Sequence, residues 1–372
     1  LEISDNIPDI MAFEDEDGSL ILLVSADRYT AIHNWLQDFF SNQTKDIQIK
    51  LYDLSGEFNL DLADFTDSNK CSIQYFDHIS ILKRLWMQLN PHAMEWWQLL
   101  DIASKQSTEL PQIPGIEDLT KLIFFSEALD SAPAGTILIV ILPTPLHALK
   151  ILGMAQQGPA LIDQLLEPLL NWWDTTRQTL SAVEKILRLR LPSSQQLRLN
   201  DAWKGRLHLL QKTISDRSNH HFTLILDGKN YKPAQLRNRL SIAGMHRAIP
   251  HILIVEEASA EANVELENEC RKGPITINKS ISITHLAQEA KTTDEKRASN
   301  RIEEWDAESL YAKIFLPGVS KADLKIEQID ASIHLIFNGY CRSIALPKEF
   351  ISNQCERAQI TVGWLNLWFS HN

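Results

Sequence analysis

Phosphoryl transfer on a parallel sheet needs a loop of the form G-x-x-x-x-G-K-[ST]. Its backbone N–H groups and lysine hold phosphate at a helix N-terminus. The 372-residue chain has no such segment, and Gly228-Lys229 lacks the first glycine and the hydroxyl residue. No G-x-G-x-x-G fingerprint or G-x-S-x-G elbow is present, which removes the usual dinucleotide and acyl-transfer signatures. His33, His78, His92, His147, His208, His220, His221 and His246 show no metal-ligand spacing, and Cys71, Cys270, Cys341 and Cys355 form no C-x-x-C pair. The sequence therefore assigns no catalytic residue and no metal ligand. The adjacent His220 and His221 read as a loop or the start of a strand.

Two residues stand where a ligand would be sought. Asp27 and His147 follow Ser19–Ala26 and Thr136–Leu142, apolar runs that read as strands buried on both faces. Ligands of open α/β sheets bind beyond the C-terminal strand ends. Asp27 and His147 are thus either members of a ligand site or, on the plainer reading, a helix cap and a surface loop residue. A different chemistry, contact with a partner, is suggested further on. Leu161, Leu165, Leu166, Leu169, Leu170, Trp172 and Trp173 make a broad apolar face. Adjacent tryptophans on a helix are ~100° apart, so one ring of each pair Trp96-Trp97 and Trp172-Trp173 can enter the core while the other stays partly exposed. Both could equally be core. Residues 177–217 carry nine Lys and Arg, Arg188 and Arg190 among them, against three acids. That face could meet an acidic partner, a membrane surface, the acidic start of the chain, or simply water.

The elements that position these residues alternate. Strands are expected at Ser19–Ala26, Ile47–Tyr52, Cys71–Phe76, Thr136–Leu142, Phe222–Leu226 and His251–Val255, with helices near Tyr29–Phe40, Ile116–Leu129, 147–215 and Pro233–Gly244, the last stopped by Gly244. This rhythm predicts a mostly parallel sheet with helices on both faces and a helical subdomain at about 147–215. Glu257–Ser309 reads as a last sheet strand and a linker, the linker spanning 286–308. Six short strands between Tyr311 and Phe369 read as a small all-β sandwich over 309–372. With 44% hydrophobic and 23% charged residues, the composition is that of a folded globular chain. Net charge is -12, and residues 1–18 form an acidic lead with seven carboxylates and no Lys or Arg. An acidic chain repels polyphosphate, so nucleic acid is not expected as a partner. No apolar run reaches the ~18–20 residues that span a bilayer. The scattered thiols fit a reducing, cytoplasmic compartment.

The order of these pieces resembles the ArsA-type anion-pump ATPases and their relatives that target tail-anchored membrane proteins. Val24-Ser25-Ala26-Asp27 is similar to the family's V-S-T-D, Ile113-Pro114-Gly115-Ile116-Glu117 to its L-P-G-[IM]-[DE] helix start, and Leu142–Leu152 (LPTPLHALKIL) to its T-A-P-T-G-H-T-L-R-L-L. His147 falls on the family histidine and Lys150 on the arginine. Asp227 and the helix after it look like a late strand–helix pair. Phe315–Leu324 (FLPGVSKADL) and Arg342–Pro347 (RSIALP) resemble the α-crystallin, or small heat-shock, fold. Such a domain ends a cyanobacterial and plastid subgroup of the family. The resemblance implies a P-loop-NTPase-like α/β fold, with Asp27, His147 and Lys150 as remnants of a ligand site.

The departures shape the functional expectation. The family's phosphate loop lies about 20 residues before V-S-T-D, a window that here is residues 2–18, acidic and without a cation. Two like charges at ~4 Å repel by about 1 kcal/mol in water and by more when partly buried. The family carboxylate before T-A-P-T-G-H falls on Ile141 and its glycine on Leu146. Parts needed for phosphoryl transfer are thus replaced. The expectation is a pseudo-ATPase without cofactor. It would be a scaffold or chaperone-like factor for a protein partner with a hydrophobic, membrane-associated segment. Contact would run through Leu165, Leu169, Trp172, Trp173, Arg188 and Arg190, with a homodimer as one arrangement. Such a protein would work in the cytoplasm or plastid stroma, peripheral to a membrane. Two rival expectations are an active ATPase, using ATP and Mg with a loop outside this sequence or in unusual form, and a nucleotide or small-molecule sensor without hydrolysis.

Overall fold

A computed structural model describes residues 19–42, 47–56, 71–89, 116–158, 160, 175, 201–271, 273–280 and 301–371. The acidic lead lies outside them, as do Trp96, Trp97, Leu165, Leu169, Trp172, Trp173, Arg188 and Arg190. The chain divides into two compact units, one within Leu1–Ile73, Pro133–Gly153 and Asp216–Asn372, the other within Gln74–Ala132 and Met154–Ser215.

The first unit is built on a parallel sheet. Its strands are β1 (Leu20–Ala26), β2 (Ile49–Asp53), β3 (Cys71–Tyr75), β4 (Ile137–Ile141), β5 (His221–Asp227), β6 (Ile252–Glu256) and β7 (Thr276–Asn278), in the spatial order β3-β2-β4-β1-β5-β6-β7. β1 is central, with Leu22 opposite Ile139 of β4 and Val24 opposite Thr223 of β5. Nearly every side chain of β1 and every one of β4 is buried. Their unbroken apolar runs, LILLVSA and ILIVI, are what a strand covered on both faces requires. Helix α1 (Tyr29–Ser41) buries Ala31, Ile32, Trp35, Leu36 and Phe39, a stripe at helical spacing. Trp35 and Phe39 stack at 5.6 Å in the core beneath β1, β2 and β4.

The second unit holds α2 (His78–Leu89), α3 (Ile116–Asp130) and α5 (Asp201–Ser215), while α4 (Pro145–Ala155) runs from the first unit into it. α3 packs on α2 and α5. Arg84 grips Glu127 with two bonds of 2.9 and 2.8 Å, and Arg206 reaches Asp130 at 2.9 Å. Among the described residues no helix is long and apolar enough to cross a membrane.

Two expectations about the later chain are corrected. Within Glu257–Ser309 the expected last sheet strand is present as β7, but it is preceded by a helix, α7 (Ala260–Cys270), that was not expected. Ser259 caps it by accepting from Ala262 N–H at 3.2 Å, and it buries only Ala262, Leu266 and Cys270. A stripe that thin among glutamates gives almost no amphipathic signal. Gly244 does not stop α6 (Pro233–Met245); the left-handed residue is Arg247, at φ 56°. Gly244 instead allows close approach, since a Cβ there would sit 3.3 Å from Leu316.

The C-terminal strands form two antiparallel sheets. One is β10-β11-β12 (Leu324–Ile329, Ser332–Phe337, Tyr340–Ala345). The other is β13-β14-β9-β8 (Asn353–Thr361, Trp364–His371, Tyr311–Phe315, Glu303–Asp306). β8 falls inside the expected linker, so these sheets begin before residue 309. It pairs with β9, Trp305 opposite Ala312. Ile314, Leu335, Ile344, Leu365 and Leu367 fill their shared core, and Met245 from the end of α6 joins it. The sheets seat directly on α6 and α7. At Gly363, φ 73°, a Cβ would stand 2.6 Å from the carbonyl oxygen of Glu269, so only glycine fits that turn.

Candidate functional site

The C-terminal ends of β1, β5 and β6 meet at one edge of the sheet, and each ends in an acid: Asp27 just after β1, Asp227 closing β5, Glu256 closing β6. Adjacent parallel strands in register bring Asp227 opposite Glu256. Three carboxylates so close would repel, and the chain compensates them from within. Arg28 Nε forms an ion pair with Asp227 Oδ2 at 3.2 Å, and its Nη2 donates to Glu256 Oε2 at 3.2 Å. Asp227 is buried and also accepts from Asn230 Nδ2 at 2.7 Å and Lys229 N–H at 3.3 Å.

Asp27 is turned toward β5. Its Oδ2 accepts from the backbone N–H of Asp227 at 3.0 Å, and its Oδ1 accepts from the Tyr231 hydroxyl at 2.8 Å. Arg239 lies over the Tyr231 ring at 5.4 Å and donates to the hydroxyl at 3.4 Å. Burial, then the bond to Asp27, raises the Tyr231 hydroxyl above its ordinary 10, so it stays a donor. Asp27 does not cap α1. The cap position belongs to Arg28, whose side chain makes no capping bond.

The turn from β1 to α1 is the place where a doubly wound sheet carries its phosphate loop. Here it is Asp27 and Arg28 alone, with Asp27 N–H bonded to Ile225 O at 3.2 Å. A glycine-rich loop presents several consecutive N–H groups to an anion. A two-residue turn that offers a carboxylate cannot. Among the described strands β1 is the middle one. At the next turn along, Gly228 is held by packing: a Cβ would lie 2.6 Å from backbone atoms of Ala258 and Glu256.

The other expected site residues divide. His147 is half-buried in the first turn of α4, after β4. It is therefore a helical residue and not a loop residue. Lys150 lies one turn further on and faces His246 at the end of α6, where its charge, after burial, lowers the histidine below 6.5. Asp27 and Lys150 thus serve different neighbourhoods. Sequence reasoning missed Arg28, Tyr231 and Glu256. The signal was present as an acid closing each of three apolar runs, SAD, LILD and LIVE. Burial pushes the thiols of Cys71 and Cys270 up to about 11 and about 12, so neither is a thiolate nucleophile at neutral pH.

Comparison of the chain with protein-family models gives no match, and comparison with curated proteins gives none either. Chemically, the site is a closed ionic network: each carboxylate oxygen described above already accepts from a donor of this chain.

Proposed function

We propose that this chain is a non-catalytic, ArsA-like pseudo-ATPase whose sheet serves as a scaffold. The observation that carries the reading is the occupation of the sheet's ligand edge by Asp27, Arg28, Asp227, Glu256 and Tyr231. A nucleotide phosphate would have to displace Arg28 from two carboxylates and then face them. Among the described residues of that edge it would find neither a lysine on a phosphate loop nor a row of N–H groups aimed at it. The residues present do not fit ATP with Mg, and no step is assigned to either.

The scaffold's partner is a protein with a hydrophobic, membrane-associated segment, with a second copy of the chain as another candidate. Contact runs through Leu165, Leu169, Trp172, Trp173, Arg188 and Arg190. The C-terminal sheets, read as an α-crystallin-like sandwich, add a rigid surface beside the P-loop-NTPase-like sheet. The setting is cytoplasm or plastid stroma, peripheral to a membrane. Calorimetric titration of the whole chain with Mg-ATP tests the reading. No heat of binding is expected. Binding with phosphate release would make the chain an ATPase, and binding alone would make it a sensor.

A further inference from the structure

At the opposite end of β5 and β6 three histidine rings gather under one permanent cation. His251, immediately before β6, joins three strands through its backbone. Its N–H donates to Phe222 O and its carbonyl accepts from Thr276 N–H, each at 2.8 Å. Its ring adds a fourth tie. Nδ1 accepts from Phe222 N–H at 3.0 Å, so the ring proton sits on Nε2, which donates to Arg217 O at 3.0 Å. The rings of His220 and His221 lie 5.4 and 5.3 Å away. The Arg217 guanidinium donates to the carbonyls of Ile249, Pro250 and Pro274, which pins the segments leading into β6 and β7. Among the described residues no group of three His, Cys, Asp or Glu is placed to hold a metal ion.

The groups facing His251 are Arg217 from the 3-10 turn Arg217–Asn219, and His220 and His221 from the start of β5; their charges disfavour the imidazolium, and the bond to the Arg217 carbonyl opposes them in part. Asp216, the nearest carboxylate along the chain, accepts from Ser218 N–H at 3.0 Å and Ser218 Oγ at 2.7 Å. β1 places Leu22 opposite His221, and β7 places Thr276 opposite Ile252. Burial, then Arg217, holds His251 well below 6.5 and His221 down to about 4.

We propose that this cluster is an acid-sensitive latch: protonation of His251 puts a proton on the nitrogen that Phe222 N–H needs, and the starts of β6 and β7 come away from β5. The β2–β4–β1 half of the sheet has no part in the cluster and stays paired. This inference is independent of the scaffold reading. The test is hydrogen–deuterium exchange of the whole chain at pH 7.5 and 5.5, corrected for intrinsic exchange rates. Protection at Phe222 and at 276–278 should fall about tenfold per pH unit for each proton taken up, while 137–141 keeps its protection. His251→Asn retains a neutral acceptor and donor and should lower the slope by one proton. Should that variant not fold, nitrogen NMR of the wild-type imidazoles decides: His251 must show no imidazolium while Phe222 stays protected. Protection independent of pH, protection lost equally at 137–141, or His251 titrating with Phe222 still protected would each overturn the latch.

Discussion

Strands β5 and β6 are held at both ends by polar side chains, yet by opposite means. At the C-terminal end, charge is matched: Arg28 spans Asp227 and Glu256. At the N-terminal end, charge is avoided: the rings of His221 and His251 stay neutral beside Arg217, whose donors go to backbone carbonyls. The first arrangement closes the edge where a ligand would enter. The second is compact only while unprotonated. One pair of strands thus carries a clamp at one end and a titratable latch at the other.

The contrast can be broken in graded steps. The largest effect of a substitution is expected from Gly228→Val. Its side chain would overlap backbone of the β6–α7 loop, costing about 3 kcal/mol, the upper part of the overpacking range, as read by a urea midpoint. Acid comes next. His221 titrates near 4 in the folded chain and near 6.5 unfolded, so the unfolded chain takes up the proton first. Stability is full above pH 6.5 and is lost toward pH 4, by about 1.4 kcal/mol per pH unit per histidine. Urea melts at half-unit pH steps would show it. Arg28→Ala leaves the buried Asp227 carboxylate short of a partner and should cost about 1–2 kcal/mol, discounted because Arg28 is half exposed. Its acid slope should match wild type. A steeper slope would mean that the two ends are coupled. Tyr231→Phe removes one donor from Asp27, a loss of about 1 kcal/mol in the same melts. Lys229→Ala breaks only an exposed pair with Glu257, and the midpoint should not move.

Much of the sheet is readable in advance because parallel strands covered on both faces are apolar without interruption, as in TILIVIL and SLILLVSA. Their spatial order is not. That β1 lies between β4 and β5 depends on crossovers that no local pattern encodes, and so does the identity of the turn that lacks a phosphate loop. The clamp was half visible: Asp27 follows an obvious strand, but Tyr231 is 204 positions away and meets it only after folding. The latch was less visible still. His220 and His221 look like an incidental pair until parallel pairing brings His251 beside them. Helix α7 escaped because its buried face is three residues wide among glutamates.

The end of α6 has a further consequence. Met245 completes the apolar interior of the C-terminal sheets, and the buried Arg342 sends Nη1 to Gly244 O at 2.6 Å and Nη2 to Glu303. A gene fragment encoding only residues 301–371 would yield a protein with a methionine-sized hole and a guanidinium robbed of its carbonyl. A complete module would have to carry the last turn of α6 along with it.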